Sequence, residues 1–287
     1  MPYYIYAWIG AFVSGLFVIT AKLTSKYSIE NPWLFNFALI IATLVFMFPI
    51  ALLNHAGMPT NWLLIICTAI FSTLFNIFWI LATYVLDVSV LAPLFNFRGV
   101  FVLLLGATFL NEKFTGVQFI YILVIIMAGV FSSMDEHFKL NSFLKKSVAL
   151  ALLASLFLAI YNVFLKPTIN ANGLWTTNLW VTVLNCVLLI PTLPKFHNDI
   201  KKLNFTHLAP VILLGIFNVI TEYTANSAYA SNVVITSLIM NIPFSMIIAF
   251  IFSIYLPKLL EKHSLKIYAI RFTSTAAMIY CAMQLSK

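Results

Sequence analysis

Charge is what this sequence has least of. Of 287 residues only 8% are Asp, Glu, Lys or Arg, and just eight are acidic. A soluble globule of that length needs far more polar surface to cover itself, so a soluble fold is excluded. Cysteine is scarce too: Cys67, Cys186 and Cys281 all lie inside apolar stretches, are odd in number and include no Cys-x-x-Cys pair, which implies neither a disulfide framework nor a metal site. The five histidines, His55, His137, His197, His207 and His263, fall in connections or at the ends of apolar runs, and no His/Asp/Glu cluster has metal-ligand spacing. No Gly-rich loop precedes a Lys-Ser or Lys-Thr pair, so a built-in ATP motor is not expected. No cofactor and no catalytic apparatus are expected. The segment Met1-Pro2-Tyr3 lacks a basic n-region and the first apolar run lacks a cleavage site, so that run reads as a permanent helix.

What the chain has instead is apolar length. It is 62% hydrophobic, with a mean hydropathy of +1.01. Windows of about 19 residues predict ten membrane spans. They run Tyr4 to Thr24, Pro32 to Leu53, Trp62 to Val85, Val88 to Leu110, Gly116 to Met134, Ser147 to Leu165, Trp175 to Leu193, His207 to Tyr229, Asn232 to Tyr255 and Leu265 to Leu285. The longest connections, Asp135 to Lys146 and Pro194 to Thr206, are of ordinary loop length and leave no room for a soluble domain. The formal net charge of +8 comes from lysines in short loops, which form no continuous basic face, so nucleic acid is not an expected partner. Trp33, Trp62 and Trp175 sit near span starts and read as interface anchors, while most of the 27 Phe read as lipid-facing or core surface.

The stretch from Val88 to Val130 is the most informative. Its first span carries Pro93, Asn96 and Arg98, the last a permanent cation roughly 15 Å deep by helix rise. Arg at a helix centre costs from about 3 kcal/mol upward, so it must face the bundle interior, water, a carboxylate or an anionic ligand. Asn96 and Arg98 are about 200° apart on an ideal helix, so both line one cavity only if Pro93 distorts the span or the cavity wraps it. The polar helix, the turn Leu110-Asn111-Glu112-Lys113 and a second helix closing on Ala128-Gly129 resemble the end of a five-helix repeat in the drug/metabolite transporter superfamily, the EamA-like transporters. Asn111 stands where that family has Gly, and Arg98 stands about where it often has proline. The resemblance implies a carrier whose first, third, fourth, sixth, eighth and ninth helices surround a central cavity, and it implies nothing about the substrate.

The two halves read as weak copies. Phe75-Asn76 corresponds to Phe217-Asn218, Asn96 to Asn241, Glu112-Lys113-Phe114-Thr115 to Glu261-Lys262-His263-Ser264, and Lys22 to Lys166, with a few extra residues including Pro257 in the second copy. Five spans is an odd number, so the second copy enters the membrane from the other side. The expected fold class is therefore an all-α integral membrane protein of ten transmembrane helices in two inverted five-helix repeats, residues 1–137 and 138–287.

At 3.6 residues per turn Ser72, Asn76, Trp79 and Thr83 share one face of the third span, and Asn218, Glu222, Ala225 and Tyr229 repeat that spacing in the eighth. Such residues often serve only as interhelical hydrogen bonds below about 2 kcal/mol each, but their recurrence in both halves favours a shared cavity. Glu222 is the only acid well inside a span; it reads as a ligand for a substrate ammonium or a proton, or as a permanent partner of Arg98. Lys22 and Arg271 lie near span ends and are expected to snorkel. Ser14, Tyr161 and Asn162 are further cavity candidates. The expected substrate-binding set is Asn76, Trp79, Asn96, Arg98, Tyr161, Asn162, Asn218, Glu222 and Asn241.

These readings make the chain a multi-pass carrier of the cell inner or plasma membrane, moving a small polar or amphipathic metabolite, amino-acid-like or another organic ion, by alternating access. Proton or counter-solute coupling is open, as is a monomer or a homodimer. The alternatives are a channel, which would not saturate, and a membrane-embedded enzyme acting on a lipid-linked substrate, which would need a catalytic cluster at a membrane face. Eleven lysines fall opposite the termini and three, Lys113, Lys166 and Lys287, beside them, so the positive-inside rule puts both termini outside the cytoplasm. The family resemblance implies the reverse.

Overall fold

A computed structural model of the chain describes residues 1–86, 88–110, 114–132, 146–201, 203–255 and 265–285. Among them every regular element is helical: α1 (Tyr3–Tyr27), α2 (Pro32–Leu53), α3 (Trp62–Val85), α4 (Val88–Phe109), α5 (Gly116–Ser132), α6 (Lys146–Asn172), α7 (Leu174–Leu189), the single turn α8 (His197–Ile200), α9 (Phe205–Tyr229), α10 (Val233–Met240), α11 (Phe244–Tyr255) and α12 (Leu265–Leu285). A 3-10 segment, Ile190–Lys195, extends α7 towards α8. The connection Asp135 to Lys146 (but for Lys146), the turns around Glu112 and Glu261, Pro257, and the side chains of Asn96 and Arg271 lie outside the described residues.

Asparagine starts several of these helices. The Asn31 side chain accepts from the Trp33 and Leu34 amides, with Pro32 in the first turn, and Asn61, Asn204 and Asn232 accept from Leu64, His207 and Ile235. Asn31 satisfies two orphan donors and each of the others one. Among the described residues six helices are long and apolar enough to cross a membrane: α1, α2, α3, α6, α7 with its 3-10 extension, and α9. Shorter apolar stretches follow at Phe97–Gly106, Gly116–Gly129 and Val233–Ile248, the last of them spanning α10 and the start of α11.

One expected span is corrected. The stretch Asn232 to Tyr255 is two helices, because Pro243 has no amide to donate and pushes Ile242 out of helical conformation. The Asn241 amide closes α10 on the Ser237 and Leu238 carbonyls, and the chain restarts as α11 at Phe244. Helix α4 runs unbroken through Pro93.

Without a hydrophobic drive between helices in lipid, association depends on close packing and polar bonds. Helix α1 packs mainly on α9 and also on α10 and α11, while α3 packs mainly on α6, which also holds α4. Helix α2 lies against α9 and α7, α3 against α7, α4 against α10, and α5 against α12. Gly15 lets α1 reach the start of α11, where a Cβ would lie 2.8 Å from the Phe244 Cβ. Polar bonds join the same pairs: Thr68 to Thr168 across α3 and α6 at 2.8 Å, Asn185 of α7 to Ser72 and Thr73 of α3 at 2.9 and 2.8 Å, and Asn226 of α9 to Asn178 of α7 at 2.7 Å. Large apolar side chains such as Val45, Ile66, Leu104, Ile120 and Leu213 face outward, as a lipid-facing surface requires.

Lys22 does not snorkel. Its ammonium donates to the Thr83 and Leu86 carbonyls at 3.1 and 3.3 Å, at the end of α3. Carbonyls in the last turn of a helix and at its cap lack the usual helical donor, so the lysine supplies one and ties α1 to α3.

Candidate functional site

A cavity of about 210 Å³ lies among α1, α2, α3, α4, α6, α9 and the break between α10 and α11. Asn76 and Trp79 reach it from α3, Arg98 from α4 and Asn218 from α9, and Asn241 and Pro243 reach it from the break. Ser14, Gly15 and Phe17 supply the α1 wall, and Phe75, Phe95 and Leu158 complete a largely apolar lining. Phe17 and Trp79 stack at 5.5 Å between ring centroids. These aromatic residues therefore face the cavity.

Arg98 is fixed by the break. Its Nη2 donates to the Ser237 carbonyl at 3.2 Å and to the Asn241 carboxamide oxygen. The first bond adds to the one the Ser237 carbonyl already accepts from the Asn241 amide, and the second ties the Asn241 side chain at the C-terminal end of α10. Among the described residues the buried Nε has no partner. Among the described residues Arg98 forms no ion pair, so the direct Arg98 to Glu222 pair is not present.

Glu222 is instead one turn from Asn218, whose amide donates to it at 3.0 Å and to Thr43 at 3.1 Å. Glu222 does not line the cavity; Asn218 stands between them, touching both. Tyr161 and Asn162 likewise belong to a second polar group. Asn162 donates to the Tyr229 hydroxyl at 3.1 Å and lies 3.5 Å from the Ser237 hydroxyl, while Tyr161 sits against Asn226 within electrostatic reach of Glu222. Ser237 thus joins the two groups, since its carbonyl holds Arg98. Of the residues expected at a binding site, the cavity wall includes Asn76, Trp79, Arg98, Asn218 and Asn241; Tyr161, Asn162 and Glu222 stand outside it, and the Asn96 side chain lies outside the described residues.

The expected seam on α3 splits in two. Asn76 and Trp79 face the cavity, whereas Ser72 is spent on Asn185 of α7.

The sequence profile of the EamA-like transporter family matches residues 1–134. Those residues, a little under half of the chain, are similar to an EamA-like transporter domain. Among solved structures, one crystal structure superposes with a TM-score of 0.75, covering 98% of this chain and 97% of its own at 13% identity, a likeness that carries the fold alone. A search among curated proteins gives no match. The EamA-like family comprises transporters and not enzymes, and with six long apolar helices the chain is an integral, multi-pass membrane protein. The EamA-like domain supplies Ser14, Phe17, Asn76, Trp79 and Arg98 to the cavity, and the rest of the chain supplies Leu158, Asn218, Asn241, Pro243 and Ser245. Pro243 and Ser245 were not singled out from sequence, although a proline two residues after an asparagine inside an apolar run is a legible signal for a broken helix.

Proposed function

We propose that the chain is a carrier that moves a small polar or amphipathic metabolite through this cavity by alternating access, with Asn76, Trp79, Arg98, Asn218 and Asn241 as the substrate-binding residues. The observation that carries the reading is that polar side chains from both parts of the chain line one cavity beside a broken helix. Irregular backbone at membrane depth persists only where it is buried or lines a cavity, and substrate sites recur at such breaks.

The helix pairing supports ten spans in two inverted repeats, residues 1–137 and 138–287, with α10 and α11 together as the ninth span. Exchanging each span for the one five later turns the α1 to α9 contact into the α6 to α3 contact, α2 to α9 into α7 to α3, and α4 to α6 into α10 and α11 to α1. The pairs α2 to α7, α4 to α10 and α5 to α12 exchange with themselves. A twofold axis in the membrane plane gives that pattern, and rocking the halves about it alternates access.

Connections at both faces hold the halves together. Asn31 donates to the Lys195 carbonyl and to Asp199 on one face, while Asn172 accepts from the Asn61 amide and Gly57 bonds Thr176 and Trp180 on the other. In this reading each set opens in turn. Purified protein in proteoliposomes tests it: wild type should show saturable uptake and counterflow from a metabolite pool, and Ser14→Phe, which fills the cavity, should abolish both while unfolding at the same temperature. Flux without saturation or counterflow would favour a channel, and full transport by Ser14→Phe would move the site elsewhere.

A further inference from the structure

We propose that the cavity takes a small organic monoanion, a carboxylate on an aromatic or branched apolar body, with Arg98 and the start of α11 as its anion-binding end. The proposal rests on the carrier reading for its site and adds the chemical class of the substrate.

The charge argument begins with what is missing around Arg98. A guanidinium this deep in the membrane needs an opposite charge or full solvation. Among the described residues Arg98 has neither Glu222 nor any other carboxylate as an ion-pair partner, and its buried Nε has no partner. The two bonds it does make, to the Ser237 carbonyl and to Asn241, engage a single nitrogen, Nη2, of a group that carries five N–H donors in a planar fork. A carboxylate fits such a fork in bidentate fashion, which no neutral or cationic group does.

The backbone argues the same way independently. Where α10 ends, its carbonyl dipoles are negative, and Arg98 already answers them through Ser237. Where α11 begins, its dipole is positive: the Phe244, Met246 and Ile247 amides are taken by the Ile242 and Pro243 carbonyls, which leaves that of Ser245 on the cavity wall, and no Asp or Glu is among the described residues of that wall. The half-helix is twelve residues long, enough to carry a full terminal dipole. A cation in this cavity would meet a guanidinium and a helix N-terminus; an anion would be held by both.

Size and lining give the rest of the molecule. A cavity of about 150 Å³ holds benzene, so 210 Å³ leaves space for a ring or branched chain plus a carboxylate. Phe17, Phe75, Trp79 and Phe95 offer that body stacking surface, and the Asn76 amide and the carboxamide oxygen of Asn218 remain for one further polar substituent.

The test uses the purified full chain and three probes of matched size: phenylacetate, 2-phenylethanol and phenethylamine. Phenylacetate should raise the unfolding temperature in a concentration-dependent way and the other two should not; this comparison needs no variant to fold. Arg98→Gln should weaken phenylacetate binding by about 30-fold or more, as losing one member of a buried charge pair does, and Arg98→Lys should restore part of it. Equal stabilisation by all three probes, no response to phenylacetate, or undiminished phenylacetate binding by Arg98→Gln would each overturn the proposal. Counterflow in proteoliposomes separates the two layers. Phenylacetate binding without counterflow keeps the anion site and sinks the carrier reading, whereas counterflow of phenethylamine but not phenylacetate keeps a carrier and sinks the anion site.

Discussion

Gly15→Ala is the sharpest test of how the cavity is built. The new Cβ would stand 2.8 Å from the Phe244 Cβ and 2.9 Å from the Ser245 nitrogen. Carbon atoms pack best at about 3.5–4.0 Å, so α1 and the start of α11 would have to separate by up to about 1 Å. Both obstacles are at or beside the backbone, and rotamer changes cannot relieve them. Overpacking of this kind typically costs about 1–3 kcal/mol, against which alanine returns up to about 1 kcal/mol of helix propensity. The expected result is a net loss of about 1–2 kcal/mol in detergent unfolding followed by tryptophan fluorescence, and a larger loss of uptake because the displaced element carries Pro243 and Ser245 on the cavity wall. Gly116→Ala is the control, since nothing lies within 4 Å of its added carbon. A Gly15→Ala protein as stable and as active as wild type would refute the close packing of α1 on the broken helix.

Two further substitutions test the polar bonds between helices. Lys22→Met keeps the apolar stem but strands the Thr83 and Leu86 carbonyls at the end of α3, so stability should fall by about 1–2 kcal/mol; unchanged unfolding would restore the view that Lys22 merely reaches towards the membrane surface. Asn226→Leu leaves the buried Asn178 oxygen without its 2.7 Å donor and should cost about 1–3 kcal/mol, with part regained in the Asn178→Leu, Asn226→Leu double variant; additive losses in a double-mutant cycle would show that the two amides do not depend on each other.

The parts of the fold readable in the sequence are those governed by local signals. Asn31-Pro32 and Asn61-Trp62 announce α2 and α3 to the residue, because an asparagine cap before an apolar run is a chemical start signal. Pairing of remote helices is not local, and Ser72 shows the consequence: helical spacing puts it on the face of Asn76, yet Asn185 of α7 claims its hydroxyl. Arg98 was visible as a charge in an apolar run, but its partner was not, since the bond to Asn241 depends on a break 143 positions further along the chain. Glu222 drew attention as the one deep acid, and periodicity could not reveal that Asn218 stands between it and the cavity. Aromatic side chains were the least legible, because Phe17, Phe75 and Phe95 look in composition like any lipid-facing residue.

The central claim is that the cavity beside Arg98 is reached in turn from both faces of the membrane. Ser14 lies on its wall, and the native thiols Cys67, Cys186 and Cys281 can be replaced by alanine to leave Ser14→Cys as the one reactive group. A membrane-impermeant thiol reagent applied to oriented vesicles from either side measures access directly. The account predicts labelling from both sides, slowed from both by a transported ligand. Labelling from one side only, unaffected by any transported ligand, would contradict it.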